Sequence, residues 1–191
     1  TARARDIGIG YTNLGASLMA LGYPYDSSQA RSWAAAVTAL LTGASAIRST
    51  ELASRLGPAP LYEGDSDAWQ NVYAMHLDAA RSIPQVAVQP DMNDLAVEAW
   101  RIANEQIALF GARNAELSVA APTGTISFMM DADTTGIEPD LGLVKTKKLV
   151  GGGTLQIVNQ TVPKALSRLG YTADQSQEIS EYITENHSIL G

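Results

Sequence analysis

Hydrophobic and polar positions change period several times along the chain, and each change predicts a new element. From Arg5 to Tyr11, Ile7 and Ile9 alternate with Gly8 and Gly10, which suits a short strand approached closely by another backbone or a ligand, or a crowded interior. From Thr12 the period becomes helical. Leu14, Leu18, Met19 and Leu21 recur at helical spacing, Thr12 or Asn13 can cap the start, and Gly22 closes the segment. Asp26 to Ser28 can cap a long alanine-rich helix to about Leu56, with a stripe of Trp33, Val37, Leu40, Leu41, Ala44 and Ile47, before Gly57 and Pro58 end it. Trp33 on that stripe reads as core. Gly57 to Asp67, with its prolines and glycines, reads as a surface loop ending in a cap at Asp65 or Ser66. A helix over Ala68 to Arg81 follows, carrying Trp69, Val72, Tyr73, Met75 and Leu77. Ile83 to Pro90 is a proline-bounded connector. Asp91 or Asn93 then caps a helix through Leu109 with Leu95, Val97, Trp100, Ile102 and Ile107 on its apolar side, and Gly111 ends it.

The stretch from Leu117 to Pro139 carries the candidate chemistry. Leu117, Val119 and Ala121 suit a buried strand, Pro122 stops it, Gly124 frees the backbone, and Thr123, Thr125 and Ser127 offer hydroxyls where a new apolar segment starts. At such a strand-to-helix turn the first helical N–H groups lack partners inside the helix and have the positive end of its dipole behind them, which makes an anion site of backbone. The alternative is a well-capped turn that binds nothing. Beyond it, Leu141 to Val150 starts like a strand and carries Lys145, Lys147 and Lys148, read as a solvated edge or as cations facing an anion. Gly151 to Gly153 is either a hinge or a place where backbone passes close to something. A Walker-type loop is excluded, because no lysine followed by serine or threonine sits at the required distance. Thr161 opens a helix that tolerates Pro163 in its first turn and closes at Gly170, and Asp174 begins a last helix with Ile179, Tyr182 and Ile183 inward. Strands alternating with helices predict an α/β fold with a parallel sheet and crossover helices. The strands are too few for a closed barrel, so a partial barrel or an open sheet needing neighbours is expected.

Composition narrows the function. A chain of 191 residues reads as a single partial domain over 1–191. It lacks an apolar window of bilayer length, and its first residues lack the apolar core of a secretory signal, so a soluble, cytoplasmic protein is expected. A formal charge of −7 opposes non-specific binding to nucleic acid or to anionic membranes, so any phosphate is handled locally. Cysteine is absent, which excludes disulfides, thiolate metal sites and cysteine nucleophiles within this chain. His76 has no second histidine or carboxylate at ligand spacing and is not read as a metal ligand.

At APTGTISFMMDADTTGIEPD and KKLVGGGTLQIVNQTVPKAL the sequence resembles the large catalytic chain of adenosylcobalamin-dependent (class II) ribonucleotide reductases, and RDIGIGYTNLGASLMALGYPYDS resembles the strand and helix after their radical-bearing finger loop. The resemblance covers most of the chain and is weakest between about Gly57 and Gln89. It implies part of a ten-stranded α/β barrel, mainly its second half and the region after it, with long packing helices. It also implies that Pro122, Thr123, Gly124, Thr125 and Ile126 hold a substrate's 5′ phosphates through backbone amides, with hydroxyl help from Thr123, Thr125 and Ser127. Glu138 lies in a shared motif without an assigned role; holding the loop through backbone hydrogen bonds is one reading. The implied enzyme is a ribonucleoside-diphosphate reductase of deoxyribonucleotide biosynthesis and DNA replication, with adenosylcobalamin as cofactor and a ribonucleoside diphosphate or triphosphate as substrate.

The family's chemistry needs a cysteine thiyl radical and a reducing cysteine pair, and this chain has neither; Ala132 stands where relatives are expected to carry cysteine. No catalytic residue is therefore assigned here. The radical cysteine would lie before Thr1, and ENHSILG reads as a cut or as a chain continued elsewhere, so a remaining half of the reductase, as missing chain or partner subunit, is expected to complete the site. The lone chain is expected to be inactive, and to oligomerise through unpaired strand edges. Two alternatives are a non-catalytic nucleotide-binding or regulatory subunit of the same fold and a structural α/β module that binds nothing.

Overall fold

A computed structural model describes residues 2–86, 89–148 and 151–190, so Ala87 and Val88 of the expected connector and Leu149 and Val150 of the expected strand fall outside the described residues. Helices dominate. In chain order they are α1 (Leu14–Leu21), α2 (Ser28–Leu56), α3 (Pro60–Gly64), α4 (Ser66–Arg81), α5 (Asp91–Phe110), α6 (Ile126–Met129), α7 (Val162–Arg168) and α8 (Ala173–Asn186), with strands β1 (Val144–Lys148) and β2 (Thr154–Val158) between α6 and α7. Tertiary contacts divide the chain into two compact units, one of Thr1–Gly10 with Ser28–Val119 and one of Tyr11–Ser27 with Ala120–Gly191.

The first unit is a helical core. Its α2 buries Ala30, Trp33, Ala36, Thr42, Gly43, Ala46, Ser49, Thr50 and Ala53. Trp33 is core, as its place in the helix predicts. The rest of the expected stripe is displaced, because Val37, Leu40, Leu41 and Ile47 are half-buried and Ala44 is exposed. Small residues line the inward face because α5 comes very close: a Cβ on Gly43 would lie 3.0 Å from the Ala99 Cβ and 3.1 Å from the Trp100 ring. On α5 the buried face is Asn93, Ala96, Ala99, Trp100, Ala103 and Ile107, while the expected Leu95 is exposed. Trp100 is 1% exposed, donates its indole N–H to Ala39 O at 3.0 Å, and meets Tyr73 edge-on at 5.6 Å between ring centroids. Of the apolar residues expected on α4, Tyr73 is buried, but Val72 and Met75 face solvent. Gly57 to Asp67 is not wholly irregular, since Pro60 begins the short α3.

Two segments of this unit run side by side in parallel. Ile7 N donates to Glu116 O at 3.0 Å, Ile9 N to Leu117 O at 2.9 Å, and Val119 N to Ile9 O at 3.0 Å. The pairing amounts to one bridge, Ile9 with Ser118. The glycines between the isoleucines serve this approach, since Cβ atoms on Gly8 and Gly10 would lie 2.9 Å from Val119 Cγ1 and 2.5 Å from Val119 O. The parallel sheet with crossover helices expected from the alternation is therefore not formed among the described residues, which contain this bridge and one antiparallel hairpin. A strand pair this short leaves its apolar Ile7, Ile9 and Val119 exposed, and a stable sheet needs further strands on its edges.

The second unit contains α1, α6, the hairpin, α7 and α8. Strands β1 and β2 pair antiparallel from Val144 with Val158 to Lys148 with Thr154. Gly151, Gly152 and Gly153 all have φ between 96° and 99°, and a Cβ at any of them would meet nothing within 4 Å. The close approach expected as one reason for the triple glycine is not seen among the described residues, and the positive φ at all three positions is itself a conformation that favours glycine. Helix α8 begins at Ala173, one residue before the expected Asp174, and its cap is Thr172, whose side chain and that of Gln175 form a reciprocal capping box. Ile183 is the residue α8 buries, with Ile179 half-buried and Tyr182 exposed.

Candidate functional site

The stretch from Pro122 to Ser127 lies in the second unit as an exposed turn leading into α6. Thr123 has φ 64° and Gly124 φ 44°, so two consecutive residues adopt left-handed backbone before Thr125 returns to the right-handed region at φ −62°. Gly124 N donates to Pro122 O at 2.7 Å and Ser127 N to Gly124 O at 3.2 Å. Among the described residues, the amides of Thr123, Thr125 and Ile126 donate to no protein acceptor, and a Cβ on Gly124 would stand in open space. Successive amides at a change of backbone handedness form a concavity suited to an oxyanion. The helix behind them departs from expectation. Only Ile126–Met129 is helical, and so short a helix sums few peptide dipoles.

The three hydroxyls are not equivalent. Thr123 Oγ1 accepts from Gly136 N at 3.1 Å and donates to Ala121 O at 3.3 Å. Ser127 is 2% exposed and donates its hydroxyl to Gly124 O at 2.7 Å. Both are committed to the protein. Thr125 is exposed, and its hydroxyl has no protein partner among the described residues. Pro122, Gly124 and Ile126 are exposed, as is Met129 beyond them.

The loop from Asp131 to Asp140 backs this turn. Gly136 has φ 43°, and a Cβ there would lie 2.6 Å from both Ala121 O and Glu138 Oε2, so the TTG sequence meets a steric as well as a conformational demand. Glu138 does not hold the loop through its Oε2, which is buried without a hydrogen-bond partner among the described residues. Sequence reasoning passes over Thr134. It is 1% exposed, its N donates to Asn13 Oδ1 at 3.0 Å, and its carbonyl accepts from Asn13 N at 3.2 Å and Thr12 Oγ1 at 3.0 Å. Its hydroxyl accepts from Ala16 N at 3.1 Å. The start of α1 is thereby satisfied by this loop, and Gly15 lets it come close, since a Cβ there would lie 2.8 Å from Glu138 O. The available signal is Asn13 itself, which has φ 72°, a region asparagine tolerates better than most residues.

A second polar cluster ties the same loop to the hairpin. Lys145 Nζ lies 2.8 Å from Asp140 Oδ1, with the Asp140 side chain 7% exposed, and also donates to Asp133 O. Asn159 donates to Asp140 Oδ2 and Thr161 Oγ1 to Asp133 Oδ2, while Gln160 N donates to Asp133 Oδ1 at 2.8 Å. Lys145 is thus not part of a solvated edge, and its charge is held by the protein. The side chains of Lys147 and Lys148 lie outside the described residues.

In the first unit, His76 stacks on Trp100 at 4.4 Å with 7° between the rings, and burial against that ring lowers its pKa from the usual 6.5. Burial raises the Tyr73 phenol, whose hydroxyl has no hydrogen-bond partner among the described residues, and the nearby Ser49 hydroxyl donates to Asn114 Oδ1 at 2.9 Å. Among the described residues, no group of three or more histidines and carboxylates is placed to hold a metal ion, and no helix is long and apolar enough to cross a membrane.

An open run of amides on a glycine turn, braced by a buried polar loop, has the donor arrangement that a small oxyanion would require. The chain matches the family model of the ribonucleotide reductase barrel domain over residues 1–190 and belongs to that family. It is 49% identical over 198 residues to the vitamin B12-dependent ribonucleotide reductase of Streptantibioticus cattleyicolor, covering 100% of this chain and 32% of that protein. Against the protein of the same description from Streptomyces avermitilis it is 49% identical over 195 residues, covering 100% of this chain and 20% of that protein. For Rhodopirellula baltica the identity is 47% over 187 residues, covering 98% of this chain and 18% of that one, also a vitamin B12-dependent ribonucleotide reductase. The chain therefore spans a third or less of the length of these relatives.

Proposed function

We propose that this chain is the substrate-phosphate-binding half of a ribonucleotide reductase barrel, and that the whole enzyme reduces a ribonucleoside diphosphate or triphosphate to the deoxyribonucleotide. The observation that carries this is the exposed turn at Pro122 to Ser127, whose Thr125 and Ile126 amides are open while its neighbours are fixed. In this reading those amides and the Thr125 hydroxyl take the charged tail, and Thr123 and Ser127 hold the turn in shape. The exposed strand pair at Ile7–Ile9 and Glu116–Val119 then belongs to a larger sheet, the second half of a ten-stranded barrel in one domain, whose other strands cover its apolar residues. The names of the relatives support adenosylcobalamin as the cofactor, which supplies the radical that starts the reaction when bound. No described residue is assigned to hold it: His76 is stacked on Trp100, and His187 sits at the end of α8 beside Gln156. The thiol that carries the radical is supplied by sequence outside this chain, which has no cysteine. Its own contribution is binding and orientation, which bring the ribose to that thiol.

The test is Gly124→Pro in the full-length polypeptide carrying this sequence. Proline cannot adopt φ 44° and removes the Gly124 N–H, so the turn must change shape. The expected outcome is a KM for CDP raised about tenfold or more with the fold retained, since misplaced amides lose charge-assisted bonds. An unchanged KM, and an unchanged affinity for inorganic pyrophosphate, would refute the phosphate assignment. The second reading, a non-catalytic subunit of the same fold, draws on the absence of cysteine and predicts CDP binding without reduction in any assembly.

A further inference from the structure

We propose that Asn13 and Thr134 are positioning residues for the substrate loop, acting through Gly136 and Thr123; this rests on the phosphate-binding reading above. A threonine at φ 64° is a conformational outlier, because a β-branched side chain crowds the left-handed backbone. Something must hold it there. Thr123 is held by its own hydroxyl, which accepts from Gly136 N at 3.1 Å. Gly136 in turn faces two ways, its N–H toward Thr123 and its carbonyl toward Leu14 N at 3.5 Å at the start of α1. Its own position is set two residues earlier, where Thr134 exchanges backbone and side-chain bonds with Asn13 at 3.0 and 3.2 Å and accepts from Ala16 N at 3.1 Å.

The result is a path from the start of a helix to the strained residue of the turn, made of hydrogen bonds at Thr134 and at Gly136 joined by the backbone between them. Every polar atom of Thr134 is used, and the residue is 1% exposed, so the clasp is shielded from water and has little freedom to relax. A loop that must offer two amides to an oxyanion gains by such fixing, because the ordering is completed before the ligand arrives. Neither Asn13 nor Thr134 touches the ligand. Their effect passes through the placement of the Thr125 and Ile126 amides.

The experiment uses the full-length polypeptide with Thr134→Val, Thr134→Ser and Asn13→Gly, reading kcat and KM for CDP together with the inhibition constant of inorganic pyrophosphate, which carries the charged tail without ribose or base. Valine keeps the buried volume and removes the acceptor for Ala16 N; glycine keeps the left-handed backbone and removes the Oδ1 that holds Thr134 N. For both, the expected result is a KM and a pyrophosphate inhibition constant raised about five- to tenfold, with kcat within about twofold, the pattern of lost binding common to ground and transition states. Thr134→Ser should restore both constants. A merely structural role would lower kcat through the folded fraction and leave KM and the inhibition constant unchanged, and that outcome would overturn the clasp. If Thr134→Val does not fold, Asn13→Gly and Thr134→Ser decide the matter on the same readings. Should Gly124→Pro also leave pyrophosphate inhibition intact, the phosphate reading itself falls; if Gly124→Pro abolishes it while the clasp variants bind normally, the clasp alone is wrong.

Discussion

In the unit built on α2 and α5 the buried faces are mostly alanine with Gly43, Trp33, Trp100 and Ile107, interrupted by Thr42, Ser49, Thr50 and Asn93, whereas the loop at Thr134 is held at the start of α1 chiefly by hydrogen bonds. The first arrangement depends on how closely two helices approach and is indifferent to small rotations of polar groups. The second depends on direction, since each bond has a donor and acceptor at a fixed angle. Apolar packing supplies stability without specifying a loop conformation; a polar clasp fixes a conformation at the cost of desolvating each member. The candidate site sits in the unit whose loop is held by such a polar clasp.

Substitutions should break that comparison in a definite order. Trp100→Ala removes the centre of the helical core and is expected to lower stability by about 3–5 kcal/mol in urea denaturation while leaving nucleotide binding by the folded fraction unchanged. A comparable loss of affinity without loss of stability would mean that the helical unit also shapes the site. Gly136→Val forces a side chain into φ 43° against Ala121 O, so about 2–3 kcal/mol of stability and most of the affinity for CDP should go together. Lys145→Met leaves the Asp140 carboxylate, 7% exposed, without its cation, and a loss of about 2 kcal/mol is expected in the same measurement, recovered in part by Asp140→Asn in the double variant.

Smaller effects test the surfaces. His76 has its folded pKa lowered below the ordinary 6.5, so its neutral ring contributes stability above pH 6.5 that is lost as pH falls through 6.5 toward the lowered folded value. The drop in denaturation midpoint between pH 8 and pH 5 should therefore be smaller in His76→Gln than in the parent, and an equal drop would show that stacking on Trp100 does not disfavour the charged ring. Arg101→Ala breaks exposed pairs with Glu98 and Glu105 on α5 and should leave the denaturation midpoint unchanged within error.

Several features can be read from neighbouring residues alone. The alanine-rich run after Asp26 gives α2, ended where Gly57 and Pro58 fall; Thr161 and Pro163 announce α7; Gly8 and Gly10 announce a backbone in close approach. The turn at Gly124 is legible for the same reason, as proline, glycine and hydroxyls crowd into six positions. What the local pattern misreads depends on partners far away. The small-residue face of α2 follows from the proximity of α5, not from the larger apolar residues that mark its sequence stripe. Lys145 is a local exception, since the carboxylate that takes it, Asp140, lies just before β1, and it is misread because the irregular turn that brings the two together has no periodic signature.

The sequence by itself therefore determined the long helices, most of their ends and the presence of a hydroxyl-rich glycine turn, because caps, breakers and periodicity act over a few residues, while the short α3 and the brevity of α6 escaped it. Only the tertiary structure decided which hydroxyls remain available and what holds Thr123 in its left-handed conformation. The Thr134 N–H to Asn13 bond spans 121 residues, a separation over which no local periodicity carries information. Such bonds form when folding brings the donor and acceptor together out of water, and their geometry is set by the packing of the elements that carry them.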